Sequence, residues 1–575
     1  MLLSNLDLLA TAPGGVAKLR ELILTLAVQG KLVPQDPADE PAGVLLQQIR
    51  AEKDRLVAEG KIKRDKPLAE IAEEEKPFEL PVGWEWVRWA NVAMKIGDID
   101  HKMPSEAKDG VPYVSPRDFY GTNEIDFDGA KKIAYSDYVE LASKIRPEAA
   151  DLIYPRYGTV GVVRKVTTDR EFLASYSCAV IKVLPGFIEP DYQYLFSVSG
   201  CAKAQAASAT NKTTQPNVGL KSIQEFLVPL PPLAEQSRIV TRVEALMRLC
   251  DALEAKGQLE AAQHAQLVST LLGTLTASTT PEELAAHWQR VAQHFDLLLD
   301  RPEAIDALEQ TLLQLAVRGL LVPQDPTDEP ASALLQKIRA EKDRLIATGQ
   351  IKRDKPLPPI TDEEKPFELP VGWEWVRLGS LGESFDYGSS QKSVDDSAAV
   401  PILRMGNIQG GRVVMTNLKY LKDLQGELPC LLLREGDLLF NRTNSYELVG
   451  KTGLFEGYAR EMTFASYLIR IRLMDGLVNS EYINAYMNTR DCRESEIEPD
   501  LTQQTGQANY NGTKLKSIRV PLPPLAEQSR IVTRVTAQRR LCADLRQRLA
   551  ERQSVQARLA EALVGAASLS SEPCW

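Results

Sequence analysis

The chain has 575 residues, too many for a single hydrophobic core and, at about 150 residues per domain, enough for several. Hydrophobic residues make up 44% and charged residues 25%, as in ordinary soluble proteins, and no apolar run reaches the ~18 residues of a membrane helix. A net charge of −10 argues mildly against nucleic-acid binding, although a whole-chain average says little about any one face.

Met1 to Gly15 carries neither the basic region nor the long apolar core of a signal peptide, so a cytoplasmic protein is expected. Leu19, Leu22, Ile23, Leu26 and Ala27 recur at helical spacing and predict a helix from Leu19 to Val33, with Gly30 placed to end it and Pro34 beyond. A second helix is predicted from about Pro41 to Glu59. Lys61 to Phe78, charged and punctuated by proline, reads as an extended linker, and Trp84 to Arg88 alternates like a strand. The stretch from about Trp89 to Phe226 reads as mixed α/β, with strands at Val111–Val114, Leu152–Tyr154, Val160–Val163 and Ala179–Val183 and helix over Tyr192–Ala207. Pro231-Pro232 then opens a long helix from Leu233 to about Glu260, with Glu235 in its first turn. Its Ile239, Val243, Leu246, Cys250 and Leu253 have the spacing of a coiled-coil seam. Helix is expected again after Gly257, over Pro281–Leu299 and Pro302–Gly319.

Much of this then recurs. Val228–Val243 returns letter for letter as Val520–Val535, and Lys76–Arg88 returns as Lys365–Arg377. Leu26–Val33 is mirrored by Leu315–Val322, and a final helix, with Ile531, Val535, Gln538, Cys542, Leu545, Leu549, Leu559 and Leu563 in its seam, reaches about Ala567. The inserts inside the two frames, about Trp89–Phe226 and Leu378–Arg519, have diverged almost completely. They still align locally: Asp151–Arg156 with Asp437–Arg442, Pro112–Asp118 with Pro401–Asn407, and Gln215–Asn217 with Gln507–Asn509. Two like frames predict approximate two-fold symmetry and can dock two like partners, while the unlike inserts read different things. A helix of the predicted length spans ~42 Å at ~1.5 Å per residue, more than the ~34 Å turn of B-DNA.

Catalytic signatures are missing. The seven cysteines form no C-x-x-C pair and the four histidines do not flank them at ligand spacing, so neither a disulfide framework nor a zinc site is expected. Gly450-Lys451-Thr452 lacks the earlier glycine of a phosphate loop, Ser445 standing in its place. No nucleophile elbow or dinucleotide fingerprint is present. The tryptophans Trp84, Trp86, Trp373 and Trp375 belong to the repeated frame and are expected to pack in a core or dock a partner rather than stack on bases.

The double Pro-Leu-Pro-Pro-Leu-Ala-Glu-Gln followed by a helix, with Leu-Ala-Val-Gln-Gly-Lys-Leu-Val-Pro-Gln-Asp-Pro near the start, resembles the specificity (S) subunit of type I restriction–modification systems over essentially the whole chain. The resemblance implies an α+β fold: two mixed α/β target-recognition domains separated by an antiparallel coiled coil of long helices, in a pseudo-two-fold repeat. The corresponding boundaries are 1–83 for an N-terminal helical repeat and linker, 84–228 for the first recognition domain, 229–372 for a central spacer and second repeat, 373–520 for the second recognition domain, and 521–575 for the last helix. It further implies a non-catalytic subunit that reads a bipartite, asymmetric DNA site, with double-stranded DNA, two methyltransferase subunits and restriction/translocase subunits as partners. S-adenosylmethionine, ATP and Mg²⁺ would belong to those partners, which would also supply phosphate-binding surface. The alternatives are a self-contained DNA-modifying enzyme and a coiled-coil protein adaptor.

Base edges and phosphates are read by arginine, lysine, amide and hydroxyl side chains. The candidates in the first insert are Tyr113, Ser115, Arg117, Arg156, Tyr157, Thr159, Lys212, Thr214, Gln215 and Asn217. In the second they are Arg404, Asn407, Arg442, Asn444, Ser445, Lys451, Gln507, Asn509 and Tyr510. Arg156 and Arg442 stand out because each follows the same Asp-Leu-aliphatic-aromatic run; a shared structural salt bridge is the competing expectation for both.

Overall fold

The structure is a computed structural model that describes residues 6–99, 103–211, 216–422, 428–504 and 507–569. It divides into two compact units, residues 1–260 with 552–575, and residues 261–551. Among the described residues no helix is long and apolar enough to cross a membrane.

In the first unit the N-terminal apolar stripe forms α1 (Gly15–Val28), burying Leu19, Leu22, Ile23, Leu26 and Ala27. It ends before Val33 because Gly30 takes a left-handed φ of 70° and the Lys31 N–H turns back to the Leu26 carbonyl at 2.9 Å. A Cβ on Gly30 would lie 2.4 Å from Pro81 Cγ, so close approach demands glycine there as well. Helix α2 (Ala42–Ala58) follows, and the linker behind it holds one short 3-10 turn, Glu73–Glu75.

The first insert leaves this frame through strand β1 (Glu85–Arg88). Its main sheet contains β2 (Lys95–Gly97), β3 (Leu152–Pro155), β4 (Arg164–Lys165) and β5 (Cys178–Lys182), in the antiparallel order β2-β5-β3-β4. Val160–Val163, expected as a strand, is instead a turn, since Gly158 and Gly161 both have positive φ and pairing resumes only at Arg164. The single helix expected over Tyr192–Ala207 is two, Pro190–Val198 and Gly200–Ala209. Ser199 breaks it and caps the second piece, its Oγ accepting from the Ala202 N–H. A hairpin, β6 (Thr210–Asn211) and β7 (Asn217–Val218), precedes β8 (Leu227–Leu230). β8 returns beside β1, with Glu85 opposite Leu230 and Arg88 opposite Leu227, so a two-stranded neck joins insert to frame.

From the neck the chain enters α3 (Leu233–Thr276), which runs 44 residues, through Gly257 instead of stopping near it. Then come α4 (Pro281–Gln293), shorter than the predicted helix because of a break at His294, α5 (Pro302–Val317) and α6 (Ala331–Ala347). The second unit repeats the plan. Its neck pairs β9 (Glu374–Arg377) with a strand that follows the insert, and its main sheet uses β10 (Gly382–Tyr387), β11 (Leu438–Asn441), β13 (Thr452–Leu454) and β14 (Leu468–Leu473), in the order β10-β14-β11-β13. A separate sheet joins β12 (Thr443–Asn444), between β11 and β13 in sequence, to a hairpin of β15 (Thr502–Gln504) and β16 (Gln507–Asn509). The neck strand is β17 (Arg519–Leu522), and α7 (Leu525–Leu569) is the last described helix.

The duplicated stretch is explained by one latch made twice. In the first unit Glu235, 1% exposed, accepts from Trp84 Nε1 at 3.0 Å and Gln35 Nε2 at 3.1 Å. Gln236 accepts from the Glu189 N–H at 2.9 Å and donates to the Pro231 carbonyl, Arg238 pairs with Asp39, and Tyr192 donates to the Pro229 carbonyl. In the second unit Glu527 accepts from Trp373 Nε1 at 2.9 Å and Gln324 Nε2 at 2.7 Å. Gln528, Arg530–Asp328 and Tyr482 repeat the remaining bonds. Burial pushes both glutamates above the ordinary carboxyl pKa, while the Trp and Gln donors pull the other way. Trp86 and Trp375 donate to the carbonyls of Phe78 and Phe367 and pack edge-on against those rings. All four tryptophans are frame packing.

Each helical bundle has a third member beside the long helices. In the first unit Ile239, Val243, Leu246 and Cys250 of α3 are buried with α1 and with Ala560 and Ala567 of α7. In the second, Val268, Leu272 and Leu275 of α3 are buried with Ile305, Leu308 and Leu312 of α5 and Cys542 and Leu549 of α7. The start of α3 thus shares a core with the end of α7, and the end of α3 with the first half of α7, the order of an antiparallel pair. Leu559 lies off the seam and is exposed; Ala560, the next residue, fills the buried position. Cys250 and Cys542 are buried small core residues.

Candidate nucleic-acid interface

The hairpin in each insert folds against the arginine that ends the shared Asp-Leu-aliphatic-aromatic run. In the first domain the Arg156 N–H donates to the Ser177 carbonyl and the Val218 N–H to the Arg156 carbonyl. In the second the Arg442 N–H donates to the Tyr467 carbonyl and the Tyr510 N–H to the Arg442 carbonyl. The two hairpins therefore occupy the same place in two copies of one fold, with Asn217 and Asn509, which align in sequence, at equivalent positions.

On the first hairpin face the structure brings together Arg156, Tyr157, Thr159 and Asn217. Tyr157 bridges to Asn217, the Gly158 N–H reaches the Pro216 carbonyl at 3.1 Å, and the Tyr157 ring meets Tyr176. Thr159 is exposed. Arg156 is buried: Nη1 pairs with Asp98 and Nε donates to the Val218 carbonyl at 3.2 Å. Lys212, Thr214 and Gln215 lie outside the described residues.

The second face gathers Arg442, Asn444, Gln507 and Asn509 on and beside the β12-β16-β15 sheet. Asn509 Oδ1 accepts from Thr443 Oγ1 at 2.7 Å, and Gln507 is exposed. The Arg442 guanidinium lies over the Tyr387 ring at 4.8 Å, a cation–π contact, and donates to the Ser466 carbonyl. Lys451 is exposed on the turn before β13, and the Ser445 N–H donates to Asn444 Oδ1. Thr452 opens a strand, not a helix, so the Gly450-Lys451-Thr452 run lacks the architecture of a phosphate loop.

Four candidates, Tyr113, Tyr510, Ser115 and Asn407, do other work, and Arg404 spends one of its donors within the protein. Tyr113 and Tyr510 are core residues, 5% and 2% exposed, with burial raising their phenol pKa. Ser115 donates to Asp118, and Asn407 is buried with its amide bonded to the Arg404 N–H and the Val414 and Thr416 carbonyls, so both hold equivalent 3-10 turns. Arg404 donates to the Asn417 carbonyl. Arg117, by contrast, is exposed on its turn, beside Asp118. The buried or internally bonded groups have little left to offer a base edge, for a side chain needs free donors or acceptors at the surface to read one. Sequence reasoning missed Tyr387, Tyr467, Tyr176 and Gln503, which border these faces. Tyr387 and Tyr467 are exposed aromatics, but their nearness to the hairpin depends on strand pairing and leaves no local sequence signal.

The family described as "Type I restriction modification DNA specificity domain" matches twice, over residues 81–263 and 370–552. The chain is 37% identical over 573 residues to the type I restriction enzyme EcoEI specificity subunit of Escherichia coli, covering 96% of this chain and 94% of that one. It is also 37% identical to the EcoAI specificity subunit of the same organism, with the same coverage. A solved structure titled for complex assembly and conformational transition of the type I R-M system overlays with a TM-score of 0.49 at 20% identity, covering 86% of this chain and 99% of that one.

Proposed function

The chain belongs to the type I restriction–modification DNA specificity family, and from that premise we propose that it reads a bipartite, asymmetric DNA site, one half with each insert. One observation carries the reading: equivalent hairpins, held on closely similar necks, lie beside different side chains, Arg156 paired with Asp98 in one domain and Arg442 over Tyr387 in the other. In this reading residues 84–228 and 373–520 are the recognition domains, and the long helices set the distance between half-sites. At ~1.5 Å per residue the 44 residues of α3 span about 66 Å, more than one turn of B-DNA.

The same frame docks two methyltransferase subunits. Arg242, Arg248 and Leu249 on α3 are exposed, and so are their counterparts Arg534, Arg540 and Leu541 on α7, which gives two like partners two like surfaces. Restriction/translocase subunits complete the assembly, which works in the cytoplasm. S-adenosylmethionine, ATP and Mg²⁺ are held by the partners, and partner surfaces offset the chain's net charge of −10 on DNA.

The test replaces residues 89–226 with the insert of another family member and maps methylated sites genome-wide. One half of the recognised sequence changes and the other stays. Unchanged sites on both halves would sink the proposal.

A further inference from the structure

The two insert arginines sit at the same place in the fold with different partners. Gly97 of β2 pairs with Val180 of β5, and Asp386 of β10 pairs with Arg470 of β14, so the following residues, Asp98 and Tyr387, are equivalent. Each faces the arginine that follows β3 or β11. In the first domain that residue is a carboxylate, and it forms an ion pair with Arg156, whose Nε is also committed to the Val218 carbonyl. The Arg156 charge is neutralised and its side chain is 9% exposed. In the second domain the facing residue is an aromatic ring. Arg442 rests on it and donates from Nη1 to the Ser466 carbonyl, and among the described residues no carboxylate pairs with it. Tyr387 is itself fixed, its hydroxyl accepting from the Gly512 N–H at 2.8 Å, and the residue is 45% exposed. The stacked guanidinium keeps its full charge and gives up little further rotamer entropy on binding an acceptor.

Building on the DNA-recognition reading, we propose that Asp98 and Tyr387 set an asymmetry between the half-sites: the second domain grips the duplex through Arg442, whereas the first holds the equivalent Arg156 as an internal strut. A guanidinium already saturated by a carboxylate has little to gain from a phosphate or a guanine edge, while one seated on a ring and bonded only to a neutral carbonyl binds either.

The test uses the full chain assembled with its modification subunits and two labelled duplexes, one carrying the sequence methylated in cells that express the system and one a shuffled control. Arg442→Gln removes the charge; Tyr387→Asp neutralises it by installing the first domain's arrangement. Arg412→Gln, which removes an exposed arginine of the same domain that pairs with Glu456, controls for net charge. Both Arg442→Gln and Tyr387→Asp are expected to weaken binding roughly tenfold and to flatten the salt dependence by about one ion, with Arg412→Gln at wild type. Loss on both duplexes assigns the contact to phosphate, and loss on the methylated sequence alone assigns it to a base edge. Thermal melting of each assembly separates misfolding from a lost contact, and Arg442→Gln, which leaves the sheet intact, decides if Tyr387→Asp melts early. Wild-type affinity for a folded Arg442→Gln assembly, or an equal loss in Arg412→Gln, overturns the inference. A wild-type assembly that bound neither duplex would instead overturn the functional reading beneath it.

Discussion

Glu235 and Glu527 each tie three separated pieces of chain together: the loop after an N-terminal repeat helix, the tryptophan before a neck strand, and the first turn of a long helix. Removing such an acceptor strands its donors in a dry site. Glu527→Ala leaves Trp373 Nε1 without its carboxylate partner and is expected to lower stability by about 1–3 kcal/mol, read as a shift in urea midpoint at constant m. No shift would mean that the latch is bystander packing. Gln193 is the opposite case. It is 1% exposed in the helix Pro190–Val198, its amide has no hydrogen-bond partner among the described residues, and its counterpart beside Tyr482 is the buried Ile483. Gln193→Ile is expected to stabilise the first unit by about 1–3 kcal/mol, seen as a higher melting temperature. A lower one would show that the amide is satisfied after all. Neither role could be read locally, since glutamate in a first helical turn and glutamine in a helix look alike whether buried or solvated.

At the level of elements, the repeated helices and necks were legible because their apolar spacing is set by the same faces they bury. The departures share a cause: only packing decides where a helix ends and which apolar residue it buries. The spacing predicts an end near Glu260, yet α3 continues to Thr276, because open space surrounds Gly257 and the helix is held by packing on both sides of it. A glycine inside an exposed helix loses more backbone entropy on folding than alanine. Gly257→Ala is therefore expected to add about 0.5–1 kcal/mol, measurable as slower native-state hydrogen exchange along α3. Faster exchange would mean that the position must bend. Leu559 failed for a related reason: the more apolar residue was assigned to the seam, but Ala560 keeps the register of the buried Ala567.

Across the whole molecule, variable recognition surfaces are separated from a constant frame by two-stranded necks. Residues 89–226 lie inside the β1–β8 neck, and the segment lacks Trp84, Gln35 and Glu235, so exchanging it keeps the Glu235 bonds, while the incoming insert must supply the two latch partners that Glu189 and Tyr192 provide, as Asn479 and Tyr482 do in the second unit. The exchange that tests the proposed function should therefore give a chimera that folds and melts cooperatively, with only one half of its methylated sequence altered. A chimera that folded but left both halves unchanged would separate recognition from the inserts altogether.

The sequence by itself determined the frame. An exact repeat of residues that bond one another must build the same local structure twice, and that duplication also carried the family resemblance. It placed the two insert arginines in register as well. Only the tertiary structure decided what each arginine can do, because Asp98 and Tyr387 reach them by strand pairing across the sheet, from positions far away in the chain. A local motif can locate a charge; whether that charge is neutralised depends on the side chain that folding brings to face it.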